Sequence, residues 1–407
     1  MHIAIVGPIA TADIAHLLNV SATSLPIGRA GAPLLVTLIS ELLRLGHQVS
    51  AFTLSNDIPL NQQEPTIVKA GNFMLSYSPM RPHAWRFNGL RLGRILDLYT
   101  FERGHLQRAI AQASPDVVHA HWTYEYALAA LKTGLPHVVT CHDSPYKVAK
   151  FYGKGRPTRS LYRWLRVLMA RKVLREASCV TAVSSYMKDE VQNMASVPVS
   201  VIPNPVDDFS ISIGWVRKAP SSMSLAMVCN GWQKLKNPQP AMKAFAKFKK
   251  GHPVAKLHLY GHDFGVGQTA EAWAKQQNIA AGMTFHGAMP HKQLLQELST
   301  ADLLLHSSLE ESFGLSIAEA MGMGLPIVAG ESSGAVPWVV GGSGVLCDVR
   351  QENAIKEAIE HVLIPTNYTR YSLVARGRVQ AMFTASAVTD AYLEAYKTAI
   401  NKKPSSH

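Results

Sequence analysis

The chain has 407 residues, and its 40 lysines and arginines against 28 aspartates and glutamates give a formal net charge of +12. Hydrophobic residues make up 47% of it, which excludes wholesale disorder and allows two or three domains. No apolar run reaches the ~18 residues that a membrane span needs. The first residues read as a strand and lack the basic start of a signal peptide.

The basic residues are concentrated in one segment, Ser144–Arg175, which contains no Asp or Glu. Without this segment the formal charge falls to +2, so the protein is balanced apart from one basic stretch. The ten basic residues of the segment are Lys147, Lys150, Lys154, Arg156, Arg159, Arg163, Arg166, Arg171, Lys172 and Arg175.

The four cysteines give no sign of a disulfide framework or a zinc site. Cys141, Cys179, Cys229 and Cys347 lie far apart and form no C-x-x-C pair. We therefore expect a cytosolic protein with reduced thiols.

The first half of the chain alternates short apolar runs with helical patterns. Apolar residues at helical spacing between Leu34 and Leu43, followed by Gly46, predict a helix. The predicted strands of this half are His2–Val6, Val49–Leu54, Val117–Ala120, His137–Cys141, Cys179–Val183 and Val199–Ile202. The pattern then lapses into Pro, Asp, Ser and Gly, which predicts a linker over residues 206–222.

The alternation begins again after the linker. The predicted strands are Leu225–Cys229, Lys256–Tyr260, Met283–His286, Leu303–His306 and Pro326–Ala329, with helices at Pro240–Lys249 and His291–Leu298 between them. Two runs of β-α-β alternation predict an α/β chain with two doubly wound parallel sheets. Ligands of such sheets bind at the carboxyl ends of the strands, so the cleft between two such domains is the expected site.

The stretch from Ser307 to Pro326 has the most distinctive chemistry. It follows a strand, and Ser312 is a plausible N-cap for a helix of about residues 314–321. Free N–H groups at a helix start attract anions, and Gly314 would let a phosphate approach the main chain. Glu311 and Glu319 would be ~12 Å apart along a continuous helix. Hydrolytic carboxylate pairs are ~5–9.5 Å apart, so two different hydroxyl-rich parts of one ligand suit them better.

This stretch, E-S-F-G-L-S-I-A-E-A-M-G-x-G-x-P, closely resembles the E-x7-E signature of the retaining glycosyltransferases of family 4. That resemblance implies the GT-B fold, two Rossmann-like domains facing across a cleft. It implies an acceptor-side domain at 1–205, a nucleotide-sugar domain at 223–383 and a helix at about 384–400 that crosses back. Glu311 would meet the donor sugar, Glu319 the ribose, and the backbone of Phe313, Gly314 and Leu315 the diphosphate.

Other segments resemble the same family in the same order. They are Asp116–Trp122 (D-V-V-H-x-H), Thr140–Asp143 (T-x-H-D), Val201–Asp207 (V-I-x-N-P-V-D, containing Asn204) and Tyr260–His262 at a strand-end glycine turn. The resemblance implies that His142 acts near the donor sugar. His119 and His121 alternate across a strand, and for each a structural role is the better interpretation.

Two loops complete the implied donor site. Lys236 matches the family's diphosphate lysine, whereas Gly231 stands where the family usually has an arginine, and Lys234 is a possible substitute. In the loop Pro26–Pro33, Gly31 is the best match to the glycine that approaches the donor phosphate. Arg29 is a possible phosphate contact, as Asn204 and His262 are possible donor contacts.

The sequence contains no D-x-D pair, so we expect metal-independent transfer and no cofactor beyond the nucleotide-diphosphate sugar. No enzymic nucleophile is evident, which favours same-face attack assisted by the leaving phosphate. The runner-up functions are a GT-B epimerase or phosphorylase and a transferase with a soluble small-molecule acceptor. A Rossmann oxidoreductase is disfavoured because G-x-G-x-x-G is absent.

The basic segment indicates where the acceptor is met. Arg159, Arg163 and Arg166 recur at i, i+4 and i+7 among aromatic residues, which is typical of helices on anionic membranes. With Lys147, Lys150 and Lys154, they predict peripheral binding to the inner membrane face and a glycan or lipid-linked acceptor. A solvated face and recognition of an anionic acceptor remain alternatives, and no nucleic-acid motif accompanies the charge.

Overall fold

The computed structural model describes residues 1–29, 31, 33–152, 157–218, 220 and 223–402. The chain divides into an N-terminal domain, Met1–Pro205 with Ala385–His407, and a C-terminal domain, Val206–Thr384. Each domain is built on one sheet. Among the described helices, none is long and apolar enough to cross a bilayer.

The N-terminal domain has an eight-stranded sheet of order β3-β4-β2-β1-β5-β6-β7-β8. Only the edge strand β3 runs antiparallel to its neighbour. The strands β1 to β8 are His2–Val6, Gln48–Ser55, Thr66–Ala70, Phe73–Pro79, Val117–His121, His137–Cys141, Val180–Ala182 and Val199–Val201. The helices α1 to α7 are Thr11–Ile14, Pro33–Arg44, Thr100–Ala113, Glu125–Leu131, Pro145–Tyr152, Pro157–Glu176 and Ser185–Gln192.

The C-terminal domain has a six-stranded, fully parallel sheet of order β11-β10-β9-β12-β13-β14. The strands β9 to β14 are Ser224–Val228, Lys256–Tyr260, Met283–Gly287, Leu303–His306, Ile327–Gly330 and Gly344–Cys347. The helices α8 to α15 are Asp208–Ser212, Pro238–Gly251, Thr269–Gln276, His291–Ser299, Leu315–Gly322, Val336–Val340, Glu352–Leu363 and Pro365–Met382.

The last helix, α16 (Ala385–Asn401), belongs to the N-terminal domain. Its Val388, Tyr392 and Tyr396 join the core formed by the central strands and α2. Strands that are covered on both faces read as unbroken apolar runs, as β1 does, because helices bury both sides of a parallel sheet. The prediction of two Rossmann-like α/β domains is confirmed.

Each predicted strand lies within one residue of its observed bounds, but three strands were missed. β3 and β4 form a hairpin closed by Gly71 and Asn72, and Gly71 has a φ of +55°. A Gly-Asn pair between two strands is a hairpin signal that sequence reading could have used. β14 is a short edge strand in which only Cys347 is buried and the other three residues are partly buried, so its apolar signal is weak.

The linker predicted over 206–222 is wrong as a linker. Residues 208–212 form α8, and the buried Arg217 side chain donates to the main-chain oxygens of Met323 at 3.1 Å and Ser299 at 2.7 Å. The stretch is polar because it caps helices and satisfies buried carbonyl groups, and it is an integral part of the C-terminal domain.

Candidate active site

The E-x7-E segment connects β12 to α12 at the carboxyl edge of the C-terminal sheet. Gly314 occupies the N-cap of α12 with a φ of +92°, a conformation that favours glycine. The predicted N-cap Ser312 is therefore wrong, since the chain turns into the helix two residues later. Leu315 begins α12, and the first bond of the helix runs from Ile317 N–H to Gly314 O at 3.0 Å. The N–H groups of Leu315 and Ser316 therefore point out of the helix without partners inside it.

Phe313 fixes this turn from below. Its buried ring packs edge-on against Trp338 and Phe383 at centroid distances of 6.4 Å and 5.4 Å. The side chain thus points into the core of the domain while its backbone belongs to the turn ahead of α12. This geometry suits the implied role, in which only the backbone of Phe313 meets a diphosphate.

Lys236 and Glu311 form an ion pair beside this turn. Lys236 Nζ lies 2.7 Å from Glu311 Oε1, and both side chains are about one-fifth exposed. The loop of Lys236 is tied to the E-x7-E segment by two further bonds, Leu309 N–H to Leu235 O and Ser307 Oγ–H to Lys236 O. The lysine is therefore positioned by the backbone of both loops.

Glu311 also lies 3.5 Å from Nε2 of the buried His306, the last residue of β12. Burial by itself would raise the pKa of Glu311, but the contacts with His306 and Lys236 outweigh it and lower the pKa to about 2. The carboxylate is thus ionised throughout the physiological range and can accept hydrogen bonds from hydroxyl groups.

Glu319 is buried in α12, where its Oε1 accepts a hydrogen bond from His291 Nε2 at 2.7 Å. His291 begins α11 and also lines a cavity of about 220 Å³. Other walls of this cavity come from Tyr260, His262 and Met289. The histidine that bonds to Glu319 therefore lines a pocket whose walls all come from the C-terminal domain.

The remaining C-terminal candidates differ in their exposure, and one of them lines this pocket. His262 is exposed and lines the cavity, and its N–H points to Asn230 Oδ1 at 3.4 Å. Lys234 is exposed and forms no ion pair with any described residue. Gly231 has a φ of +99°, which a β-carbon would strain, so an arginine at this position would need a different backbone.

The N-terminal domain carries a second cluster at the ends of β5 and β6. His142 Nε2 lies 2.8 Å from Nδ1 of His121, and the Trp122 ring contacts His142 in a tilted arrangement at a centroid distance of 4.3 Å. Burial lowers the pKa of His142 to about 3 and that of His121 well below its ordinary value, so both rings are neutral at physiological pH. The structure brings His121 into direct contact with the candidate catalytic histidine.

His119 has the structural role that was expected of it. Its Nδ1 and Nε2 lie 2.8 Å from Tyr396 Oη and 2.7 Å from Thr140 Oγ1, so both ring nitrogens are used inside the core. His121 Nε2, by contrast, is buried and has no hydrogen-bond partner among the described residues. The interpretation of His121 as merely structural is therefore incomplete, because the one hydrogen bond of its ring within the described residues is to His142.

The remaining N-terminal candidates differ in how they are held. Gly31 is exposed with a φ of +137°. Arg29 is half-buried, and its guanidinium lies 3.3 Å from Met80 Sδ. Asn204 is buried, and its Oδ1 has no partner within the described part of the chain.

The basic segment does not present the face that the sequence predicted. Arg166 Nη1 lies 3.0 Å from Glu125 Oε2, and its guanidinium stacks 3.7 Å from the Tyr124 ring centroid. Arg163 is half-buried, and Lys147 pairs with Glu190 at 3.5 Å. Arg159 and Lys150 are exposed, as predicted, and Lys154 lies outside the described residues. The arginines turn inward because the buried carboxylate of Glu125 and the partly buried carboxylate of Asp143 need nearby positive charge.

Two residues of the C-terminal site, His291 and His306, were not found from the sequence. His306 ends a predicted strand, the same signal that drew attention to His142, and could have been found. His291 contacts Glu319 across 28 residues, and no local pattern predicts that pairing. No group of three His, Cys, Asp or Glu side chains suited to a metal ion occurs in the described ranges.

Two family models and several known proteins match most of the chain. The model for glycosyltransferase family 4 matches residues 33–208, and the model for glycosyl transferases group 1 matches residues 225–372. The chain is 25% identical to a glycogen synthase of Mycobacterium tuberculosis over 355 residues, covering 83% of this chain and 79% of that protein. It is 28% identical to a D-inositol 3-phosphate glycosyltransferase of Stackebrandtia nassauensis over 369 residues, covering 84% and 81%.

Sucrose-phosphate synthase from Thermosynechococcus elongatus superposes with a TM-score of 0.73 at 18% identity, with 98% of each chain covered. That likeness shows the GT-B fold. The two family models match the chain on either side of the domain boundary, and both relatives span most of it. The chain is therefore a glycosyltransferase of family 4 that uses nucleotide sugars.

Proposed function

We propose that this enzyme transfers a sugar, with retention of anomeric configuration and without a metal ion, from a nucleotide diphosphate to an acceptor at an anionic membrane. The observation that carries the donor part is the grouping of Lys236, Glu311 and the first turn of α12 at one edge of one sheet. A cation and a helix N-terminus suit a diphosphate, and a carboxylate suits sugar hydroxyls.

The Lys236–Glu311 pair fits a site that is preset for its ligand. Without a donor, each group satisfies the other across 2.7 Å. When a diphosphate binds, Lys236 can turn to the phosphate oxygens, and Glu311, ionised at physiological pH, becomes free for sugar hydroxyls. A lysine that neutralises the departing diphosphate takes the place that a divalent cation would have.

The nucleoside is expected at Glu319 and the adjoining cavity. Glu319 is held by His291. A ribose has two neighbouring hydroxyl groups, and a buried carboxylate can accept hydrogen bonds from both. The cavity beside His291 offers the rings of Tyr260 and His262 and the flexible side chain of Met289 to a base. These side chains suit any nucleobase, so the proposed donor is a nucleotide-diphosphate sugar.

In the proposed reaction the acceptor oxygen attacks the anomeric carbon on the face from which the diphosphate leaves. The leaving phosphate oxygen takes the acceptor proton, so no enzymic nucleophile is needed. His142 is neutral, because burial lowers its pKa to about 3. It therefore forms a hydrogen bond to the donor sugar and does not act as a general acid.

The exposed face of α6 supports a membrane-associated acceptor. Leu161, Trp164 and Leu168 follow one another at helical spacing and are 51–55% exposed. Arg171, Lys172 and Arg175 are exposed further along the same helix. An apolar stripe that continues into basic residues is suited to an anionic bilayer, where each nearby Lys or Arg contributes ~1 kcal/mol.

The donor site is tested by three substitutions with one control. Glu319→Ala should weaken nucleotide binding about 10- to 100-fold, the effect of losing charged hydrogen bonds. Glu311→Ala and His142→Ala should mainly lower kcat. Lys247→Ala, which removes an exposed pair with Glu352, is the control that should change neither quantity. Near-normal kinetics in all three site variants would contradict the site.

The reaction class is tested by NMR of the anomeric proton during turnover and by turnover in excess chelator. Retention and full activity in chelator are expected. Inversion, epimerised donor or loss of turnover that Mg²⁺ restores would contradict the proposal. Equal transfer to a soluble sugar phosphate with and without vesicles would contradict the membrane acceptor while leaving the donor chemistry intact.

A further inference from the structure

A loop of the N-terminal domain presents large apolar side chains to solvent. Within residues 85–96, here named the Arg–Leu loop, Phe87 is 67% exposed and Leu90 is fully exposed. Leu92 and Leu96 are about half exposed. The loop contains Arg86, Arg91 and Arg94 and no acidic residue. Exposed apolar groups concentrated in this way mark an interaction surface.

Internal bonds hold the loop in this shape. The buried side chain of Asn88 accepts from His83 N–H at 2.9 Å and donates to the carbonyl oxygens of Arg86 and Leu92, each at 3.2 Å. The backbones of Asn88 and Arg91 bond to each other in both directions. The exposure of Phe87 and Leu90 is therefore a fixed feature of the loop.

Beneath the loop lies a buried ion cluster. The Arg81 guanidinium, which is 1% exposed, binds Asp97 at 2.8 Å and Glu102 at 2.6 Å. It also donates to Leu92 O at 2.9 Å. Arg81 follows β4 by two residues and Glu102 belongs to α3, so the cluster ties the C-terminal part of the loop to the segment after β4 and to α3. Substitutions at the apolar tip leave this support in place.

The loop is a neighbour of α6. The rings of Trp85 and Tyr162 are in edge-on contact at a centroid distance of 6.5 Å. Tyr99, just past the loop, shares a hydrogen bond of 2.8 Å between its hydroxyl and that of Tyr162. The loop thus packs on the helix whose exposed face carries Leu161, Trp164 and Leu168.

Charge identifies the partner. The loop and the basic segment together contain 13 basic residues and no acidic one, and the rest of the chain has 27 basic and 28 acidic residues. Leucines set among arginines match a surface that has an apolar interior and anionic headgroups. A nucleic acid would call for stacking rings, whereas three of the four exposed apolar side chains of the loop, Leu90, Leu92 and Leu96, are aliphatic.

We propose that the Arg–Leu loop is a second membrane-binding element, which inserts Phe87, Leu90 and Leu92 into the headgroup boundary of an anionic bilayer beside α6. The proposal rests on the membrane part of the proposed function and adds a contact remote in sequence from the basic segment. Two elements that insert together restrict how the domain is oriented on the surface, which a single helix does not.

The test is co-sedimentation with phosphatidylcholine vesicles, with and without phosphatidylglycerol. Phe87→Ser/Leu90→Ser should lower partitioning to the anionic vesicles about tenfold or more, given the transfer free energy of two large apolar side chains. The matched control is Val254→Ser/Val266→Ser, which removes exposed apolar groups from the C-terminal domain and should have no effect. Unchanged melting temperatures verify that the loop variant is folded.

Insertion is measured directly with an environment-sensitive fluorophore on Leu90→Cys, in a Cys179→Ser background because the other three cysteines are buried. We expect a blue shift on anionic vesicles, and none for Val266→Cys. The loop proposal is overturned if the wild type and the Phe87→Ser/Leu90→Ser variant bind equally well and the fluorophore at Leu90→Cys shows no blue shift. The proposal for the α6 surface is then unaffected. If the wild type does not sediment at low salt, both membrane proposals fail while the donor chemistry is unaffected.

Discussion

At the residue scale, the contact between His121 and His142 has consequences for proton placement. If His142 donated from Nε2, His121 would carry its own proton on Nε2, which is buried and has no acceptor among the described residues. Nε2 of His121 is unpaired in either tautomer, but an orphaned buried N–H is rarer in native structures than an acceptor without a partner. The favoured arrangement has His121 Nδ1–H donating to His142 Nε2, which leaves the proton of His142 on Nδ1.

We therefore predict that His121 positions the hydrogen-bond donor of His142. His121→Asn supplies an amide N–H near the place of Nδ1 and should keep turnover within about tenfold of the wild type. His121→Leu removes the donor and should lower kcat by about 100-fold. Nitrogen-15 NMR should assign the Nδ1–H tautomer to His142 in the wild type and in His121→Asn.

The converse variant reverses the hydrogen bond. His121→Asp places a carboxylate beside His142, and an ionised carboxylate can only accept a hydrogen bond. The proton of His142 should therefore shift to Nε2, and the pKa of His142 should rise. Turnover should then acquire an acid limb that the wild type lacks, because burial holds the wild-type pKa at about 3. An Nε2–H tautomer in the wild type would show that His121 plays no such part.

The sequence indicated individual residues of the site better than their pairings. The E-x7-E motif located Glu311 and Glu319 because spacing along one segment is visible in the sequence. The bonds from Lys236 to Glu311 and from His291 to Glu319 span 75 and 28 residues. Such pairings depend on the order of the strands in the sheet, because that order decides which strand ends are neighbours. Local periodicity in the sequence does not predict strand order.

At the element scale, α6 shows how a correct helix can be given the wrong face. Arg159, Arg163 and Arg166 do lie along one side, and Arg159 is exposed. From Arg163 onward this side turns toward the core, as the burial of Val167 and Ala170 indicates. Leucine and tryptophan occupy the exposed side instead. The rule that charges face solvent fails here because the arginines counter buried carboxylates beneath them.

We predict opposite phenotypes for two arginines of this helix. Arg166→Ala should lower the free energy of unfolding by ~3–5 kcal/mol, because it leaves the carboxylate of Glu125 buried without its partner. Arg171→Ala should leave stability within ~0.5 kcal/mol, because Arg171 is exposed, and should weaken binding to anionic vesicles about fivefold. Urea denaturation and vesicle sedimentation measure the two effects. Equal stability of the two variants would contradict the structural role of Arg166.

At the scale of the whole molecule, the formal charge of +12 is divided unequally between the domains. The C-terminal domain, which contains the diphosphate and ribose candidates, has 16 basic and 14 acidic residues. The excess therefore belongs to the N-terminal domain, in the basic segment and the Arg–Leu loop. Composition alone gives only the sum of the charges, whereas the fold distinguishes exposed basic residues such as Arg171 from Arg166, which pairs with Glu125 inside the domain.

This separation predicts that salt affects the two kinds of binding differently. Raising NaCl from about 50 mM to about 500 mM should weaken binding to anionic vesicles about tenfold or more, because exposed charges are screened. The dissociation constant of the nucleoside diphosphate, measured by calorimetry, should change less than about threefold. Its contacts are part-buried and lie in a domain with little net charge, where screening is weaker. Neutral osmolyte at matched osmolality is the control for water activity. If salt weakened both affinities equally, the basic segment would contact the donor. The excess charge would then serve donor binding and not membrane binding.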